Sequence, residues 1–150
     1  MTRTNPHRHP VRLGLAVLAA FVALTALSGC QFTAKQQEVR NAMNADRRAN
    51  GRGDLAMHVQ AAAKAQAWAE KLARDGKLSH SNLPSGISVR WCSLGENVGM
   101  GNSVASIEKA YMNSPGHRAN IVSTTWNGVG TGHATKNGVT YTVQVFIKTC

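Results

Sequence analysis

The hydrophobic period of the chain changes from helical spacing in its first half to alternation near its C-terminus. Within residues 139–148, Thr and Gln alternate with Tyr and Val, which is the two-residue period of a half-buried strand. Asn137-Gly138 separates this segment from residues 127–133 and predicts a two-residue hairpin turn. Helices followed by an antiparallel hairpin indicate the α+β class, in which helices pack on a sheet.

Four helices are predicted from apolar residues at helical spacing and from residues that begin or end helices. They are expected at residues 39–49, at 58–75, at 103–112 and over a short stretch that starts at Ser114-Pro115. A serine followed by proline has the form of an N-cap and a first helical residue. Residues 78–101 have no helical period, so they predict a loop with a short strand at 96–100.

Near the N-terminus, three arginines precede a 14-residue apolar segment, residues 13–26. A membrane-spanning helix needs about 20 such residues, whereas a positive stretch before a shorter apolar one is typical of an export signal. The following Leu27-Ser28-Gly29-Cys30 resembles the lipobox of bacterial lipoproteins, which implies cleavage before Cys30 and its acylation. An ordinary signal peptide and an uncleaved anchor are the alternatives.

The organisation that follows is a signal peptide at residues 1–29, a tether at 30–35 and a single folded domain at 36–150. A domain of this length is close to the usual size of one folding unit, about 100 to 150 residues. We expect it to be a monomer that is anchored to a bacterial envelope membrane by lipid on Cys30 and faces outward.

The net charge of +10 results from scarce acidic residues, because only 16% of the chain is charged against about 25% in an average protein. This composition argues against a disordered polycation, and we expect no nucleic-acid partner. Residues 1–29 hold three arginines and no acid, so the exported part carries +7. Electrostatic adhesion to anionic envelope polymers is one function that this charge allows.

The cysteines number three. If Cys30 carries lipid, Cys92 and Cys150 remain as a pair in an oxidising, exported setting. We therefore predict a disulfide that closes a 59-residue loop, for which the chain-entropy model gives about 4 kcal/mol of stabilisation. Two free, partly buried thiols are the alternative.

The sequence contains no local signature of a zinc protease, a serine hydrolase, a phosphate-binding loop or a CxxC redox site. Instead, five short blocks follow one another: LSHS at 78–81, GENVG at 95–99, SPGHRANI at 114–121, VGTG at 129–132 and VQVF at 143–146. This series resembles the CAP superfamily, also called SCP-like, which includes cysteine-rich secretory and plant pathogenesis-related proteins. It is most similar to short bacterial members, and the resemblance covers residues 39–146.

The resemblance implies an α-β-α sandwich, with helices packed around a small antiparallel sheet, and a cleft lined by two histidines and two acids. His80 matches the first histidine, Glu96 the acid of the GEN block and His117 the second histidine. The second acid would fall near Asn113 or Ser114, and neither is acidic.

The nearest acid to that position is Glu108, about one and a half helical turns earlier, and we expect it to point elsewhere. A mechanism that needs paired carboxylates is therefore not supported. Ser114 remains a candidate cleft residue. A serine hydrolase with Ser114, His117 and Glu96 is conceivable, but the serine is sufficiently explained as an N-cap and no oxyanion hole is identifiable.

Two neutral imidazoles and a carboxylate form a Zn²⁺ ligand set, and a catalytic zinc commonly has three protein ligands and an open position. We expect His80 and His117 to bind zinc weakly. Glu96 could be a third ligand, a base for a metal-bound water or an acceptor that orients a histidine. The positive end of a helix would help to keep His117 neutral. A hydrogen-bonded cluster that braces the loops is the alternative.

The preferred functional hypothesis is an exported binding or interaction module whose ligand is a lipid, a sterol-like molecule, or an envelope or host component. The rival hypothesis is a metal-dependent hydrolase or peptidase, with Glu96 as the candidate catalytic base acting on a zinc-bound water.

Overall fold

The computed structural model describes residue 1 and residues 31–150, so the predicted signal segment and Cys30 lie outside the described part. Four helices and three strands follow one another there: α1 Ala34–Ala49, α2 Val59–Asp75, β1 Trp91–Gly101, α3 Val104–Asn113, α4 Pro115–Val122, β2 Gly128–Lys136 and β3 Val139–Thr149. No helix within this part is long and apolar enough to cross a membrane.

The three strands form one antiparallel sheet in the order β1-β3-β2, with β3 in the centre. Because side chains alternate along a strand, β3 contributes to two cores. One core lies between the sheet and α2, and the other lies between the sheet and the layer of α1, α3 and α4. The architecture is the expected α-β-α sandwich. Both cores are built from residues 31–150, so this segment is a folding unit.

Helix α2 lies directly against strand β2 because two glycines of the strand leave room for the helix backbone. A Cβ atom on Gly130 would overlap the backbone of Ala61 and Ala62, and one on Gly132 would overlap the backbone of Ala65. The alanine-rich stripe of α2 matches this short separation, since alanine adds little bulk at a helix surface. This contact fixes α2, and with it the segment that follows α2 and carries His80.

Helix α1 begins at Ala34, inside the segment 30–35 that was predicted to be a tether. The correction has a local cause: the Thr33 hydroxyl accepts from the Gln36 backbone N–H at 3.1 Å, and the Thr33 N–H donates to the Gln36 side chain at 2.9 Å. This is a capping box, which satisfies helix-end groups that the apolar pattern does not report.

Strand β1 has 11 residues rather than the predicted five at 96–100. Its first half contains Ser and Gly, which give no strand signal, but it pairs along its length with the central strand β3. Tertiary pairing therefore overrides local propensity here. The loop predicted from residue 78 is confirmed up to the start of this strand.

A disulfide joins Cys92, near the start of β1, to Cys150, just after the end of β3, with 5.2 Å between their Cα atoms. The pairing is the predicted one. It is reinforced by the Cys150 backbone N–H, which donates to the Arg90 carbonyl at 3.3 Å. The bond ties the edge strand of the site to the centre of the sheet.

Candidate functional site

His80 and Glu96 form the first pair of the site. His80 lies in the loop after α2 and Glu96 lies on β1, and His80 Nδ1 is 2.7 Å from Glu96 Oε1. The same carboxylate oxygen accepts the backbone N–H of Ser81 at 2.9 Å. The Glu96 side chain is only 3% exposed, whereas that of His80 is 65% exposed. The buried Glu96 carboxylate thus fixes the position of the exposed His80 ring and of the loop that carries it.

Ser114 and His117 form the second pair. The Ser114 hydroxyl is 2.9 Å from His117 Nδ1, and His117 lies in the first turn of α4. Ser114 has the extended backbone of an N-cap and Pro115 follows it, as predicted, but its side chain makes no capping hydrogen bond. The hydroxyl orients the imidazole instead, so the N-cap explanation of this serine is wrong for its side chain.

The two pairs lie within electrostatic range of each other. The pKa of His117 is lowered, first by partial burial and then by the charge of His80. The predicted direction is therefore correct, but its main cause is loss of solvent rather than the helix end. Because Glu96 contacts His80 and not His117, no triad of Ser114, His117 and Glu96 is assembled.

A cavity of about 230 Å³ opens beside His117. Apart from Ser114 and His117, it is lined by glycine, apolar side chains and Tyr111, with Leu78 and Met100 at its exposed edge. The Tyr111 ring lies 5.0 Å from the His117 ring, centroid to centroid, and its hydroxyl donates to the Thr142 carbonyl at 3.0 Å. The sequence pattern placed Tyr111 only within the helix predicted at residues 103–112, so this wall of the cleft was missed.

A chain of buried amides supports the site from the centre of the sheet. Asn97 donates to Gln144 Oε1 at 2.9 Å and to the His117 carbonyl at 3.1 Å, while it accepts from Asn120 at 2.9 Å. Gln144 in turn donates to Glu108 Oε2 at 2.7 Å. Asn97 and Gln144 are fully buried. The sequence offers one signal for this hydrogen-bonded chain: Asn97 and Gln144 are amides within the GEN and VQVF blocks, and an amide that is buried needs hydrogen-bond partners.

Among residues 31–150, Glu108 faces this amide chain and forms no hydrogen bond with His80, Glu96 or His117. It is 5% exposed, and its Oε1 has no hydrogen-bond partner among the described residues. Burial, together with the nearby charge of Asp46, raises the pKa of Glu108 to about 8. The hydrogen bond from Gln144 lowers this pKa but does not offset the two larger effects. The second acid of the family pattern is therefore not supplied by this residue.

Zinc would require a third ligand beside the two histidines. In the part of the chain that the structure describes, no group of three or more His, Cys, Asp or Glu side chains has an arrangement that could hold a metal ion. Glu96 Oε1 is already occupied by His80 and by the Ser81 N–H, and Oε2, which has no partner among the described residues, is buried. The three-ligand set of His80, His117 and Glu96 is therefore not formed, and Glu96 has the place of an orienting partner.

Comparison with protein families gives a direct result. The model of the cysteine-rich secretory protein family, CAP, matches residues 40–147. The chain belongs to the CAP family. No curated protein matches the chain significantly.

Solved structures show the same CAP fold at low sequence identity. An extracellular protein with an SCP domain from Bacillus anthracis is 24% identical with a TM-score of 0.65, and the match covers 76% of this chain but only 40% of that one. An outer surface protein of Borrelia burgdorferi is 16% identical with a TM-score of 0.68, covering 77% and 93%. NaASP2, solved with Zn²⁺, is 15% identical with a TM-score of 0.56, covering 79% and 82%.

Proposed function

We propose that this CAP domain is an exported binding module that is held at a bacterial envelope membrane through lipid on Cys30. Its ligand is a small lipid or sterol-like molecule with an apolar body and one polar end. The observation that carries the proposal is the cavity beside His117, whose walls are mostly apolar and whose polar groups gather at one end.

The exposed edge of the cavity supports an apolar ligand. Met100 is 50% exposed and Leu78 is 41% exposed, and both line the same cavity, so they form a shared apolar edge rather than scattered single residues, which are common on protein surfaces. A ligand that covered both would remove apolar surface from water at about 25 cal/mol per Å². The imidazole of His117 and the hydroxyl of Ser114 would meet its polar end.

The hydrolase hypothesis receives less support from the same geometry. A general base must have a free acceptor that can reach the proton it removes. Glu96 Oε1 already takes two hydrogen bonds, and Oε2, which has no hydrogen-bond partner among the described residues, is buried. The carboxylate is also almost fully covered. Zinc binding by His80 and His117 stays a prediction of weak affinity, which calorimetry at neutral pH with and without the His80→Ala and His117→Ala changes would test.

Ligand binding is tested with palmitate and cholesterol as probes, added to oxidised residues 31–150. Met100→Glu places a charge at the cavity edge and should weaken binding at least about tenfold, because the carboxylate would be buried by the ligand. Val59→Glu is the matched control, since Val59 is 49% exposed and does not line this cavity. Equal loss in both variants, or no binding of either probe, would refute the proposal.

Two further results would overturn parts of it. Chelator-sensitive peptide hydrolysis that disappears in Glu96→Gln would make the chain an enzyme.

For the anchor, the full-length chain is expressed in a bacterium supplied with labelled palmitate. We expect label and membrane association to be lost together in Cys30→Ser, and a labelled Cys30→Ser protein would exclude this cysteine as the attachment point.

A further inference from the structure

A second cavity lies on the outer side of α2, between that helix and the loop at residues 81–86. It has a volume of about 450 Å³, which is within the usual range of small-molecule sites, about 300 to 1,000 Å³. We call it the α2 pocket. Its α2 side presents Lys64, Trp68, Lys71 and Arg74. It is separate from the His117 cavity, with which it shares no lining residue.

The charge of the α2 pocket is of one sign. Three of its lining residues are cationic and none is acidic in the described part of the chain. Lys71 forms an ion pair with Asp75, but both side chains are partly exposed, so water screens this pair. Lys64 and Arg74 form no ion pair among residues 31–150. The pocket therefore complements an anion.

The Lys64 ammonium is held in place before any ligand arrives. It donates to the Asn82 carbonyl at 2.8 Å and to the Ser85 carbonyl at 2.9 Å, which leaves one of its three N–H groups free. Burial lowers the pKa of Lys64, and the nearby charge of Glu96 acts in the opposite direction. An anionic group would restore part of the solvation that the ammonium has lost.

The remaining walls favour a sugar over a lipid tail. The Trp68 indole is half-buried, and its Nε1 is fixed by a bond to the Ser79 carbonyl at 2.8 Å. Opposite the helix, the loop contributes Ser81 and Asn82. An acyl chain would cover these polar groups without pairing them, which is costly. A sugar ring offers hydroxyls to the loop, and its apolar face can cover the part of the indole that the Lys71 ammonium, 5.2 Å from the ring centroid, leaves open.

We propose that the α2 pocket binds an acidic sugar unit, that is, a sugar ring that carries a carboxylate or a phosphate. Lys64 lies about 10 Å along α2 from Lys71 and about 15 Å from Arg74. The anionic group would contact Lys64 at one end of the pocket or Lys71 and Arg74 at the other, and the ring would lie beside Trp68 between them. This site goes beyond the lipid-binding function proposed above, and gives the chain a separate contact with an anionic polysaccharide.

The test measures binding of a hyaluronan hexasaccharide to oxidised residues 31–150 by calorimetry. Uncharged chitohexaose is the neutral probe, and phosphatidylglycerol vesicles are the anionic lipid probe. The double variant Lys71→Gln/Arg74→Gln removes two pocket charges. Arg90→Gln/Lys148→Gln is the matched control, because it removes two charges from exposed residues that do not line the pocket.

We expect the pocket variant to bind the acidic hexasaccharide at least about tenfold more weakly, because it loses two of the three cations that line the pocket. The control should change by less than about twofold, because its charges act only at long range. The neutral probe should bind more weakly than the acidic one. Palmitate binding in the His117 cavity should survive in the pocket variant, which separates this proposal from the proposed function.

Three results would overturn the proposal. Equal losses in the pocket and control variants would mean diffuse charge attraction. Equal binding of the neutral and acidic sugars would remove the role of the cations. Vesicle binding that depends on Lys71 and Arg74, without binding of the hexasaccharide, would assign the pocket to lipid headgroups.

Discussion

Glu108 offers a sharp test of the buried polar core, because its carboxyl group is enclosed without a full set of partners. Oε2 accepts one bond from Gln144, and Oε1 has no partner among the described residues. The substitution Glu108→Gln keeps the shape and the acceptor for Gln144. It replaces the unpaired oxygen by an amide NH₂, which cannot ionise and can donate towards the charge of Asp46. We expect this variant to be more stable than the natural chain at neutral and higher pH.

The size of the effect follows from the difference between the folded and unfolded pKa of Glu108. Burial raises its pKa from 4.5 to about 8. Below pH 4.5 both states hold the proton, so the group costs nothing. As the pH rises from 4.5 to 8, the unfolded chain releases its proton while the folded chain retains it, and stability falls. At about 1.4 kcal/mol per pKa unit, the loss is about 1 kcal/mol at pH 5 and about 4 kcal/mol at pH 8.

Urea unfolding of oxidised residues 31–150 at a series of pH values from 5 to 8 measures this difference. The informative quantity is the stability of Glu108→Gln minus that of the natural chain at each pH, since other titrating groups cancel in it. We expect this difference to grow by about 3 kcal/mol from pH 5 to pH 8. Glu38→Gln is the control, because Glu38 is 49% exposed and should give a nearly constant difference.

The reasoning is refuted by either of two outcomes. A difference that stays constant across this range would mean that Glu108 is ionised in the folded chain at pH 5. A less stable Glu108→Gln variant at pH 8 would mean that the carboxylate has partners which the structure does not contain.

Three more expectations concern other parts of the molecule. Gly130→Ala should destabilise the fold by about 3 kcal/mol or more in urea unfolding, because neither backbone at this contact can yield, and a normal unfolding midpoint would contradict the close packing. Replacing Cys92 and Cys150 by serine should cost about 4 kcal/mol by the loop-entropy model, and a loss near zero would assign the bond no structural role. By NMR titration, the pKa of His117 should lie below 6.5 and rise in His80→Ala, because burial and the charge of His80 lower it. Near pH 6.5 the unfolded chain therefore binds more protons at this residue than the folded chain does. The free energy of unfolding should accordingly fall as the pH drops through 6.5.

The elements that carry strong periodicity could be predicted from the sequence. Helix α2 is an example, since its alanine stripe predicts a buried face and Gly76 adopts the left-handed conformation expected after its last turn. The start of α1 and the first half of β1 could not be predicted in the same way. The first is marked by the capping signature Thr33-Ala34-Lys35-Gln36 and not by periodicity, and the second depends on pairing with β3.

The residues of the site were predictable, but their partners were not. The blocks around His80, Glu96 and His117 are visible as short motifs. Which acceptor each histidine meets depends on the loop after α2 and on the turn between α3 and α4, and no periodicity describes either. The same is true of Glu108, because one helical residue among apolar neighbours gives no sign of whether its carboxylate lies in solvent or beneath the sheet.

The two histidines differ in the group that orients them, and this difference determines what the site can bind. Glu96 Oε1 only accepts, so Nδ1 of His80 must carry a hydrogen and Nε2 of the neutral ring is an acceptor. The Ser114 hydroxyl both donates and accepts, so His117 can carry its hydrogen on either nitrogen. A carboxylate in the place of Ser114 would hold the hydrogen on Nδ1 of His117 and leave its Nε2 as an acceptor, as in His80. The serine instead allows Nε2 of His117 to donate or to accept. The polar end of the site can therefore meet a ligand hydroxyl, which needs one partner of each kind, as well as a carbonyl that only accepts.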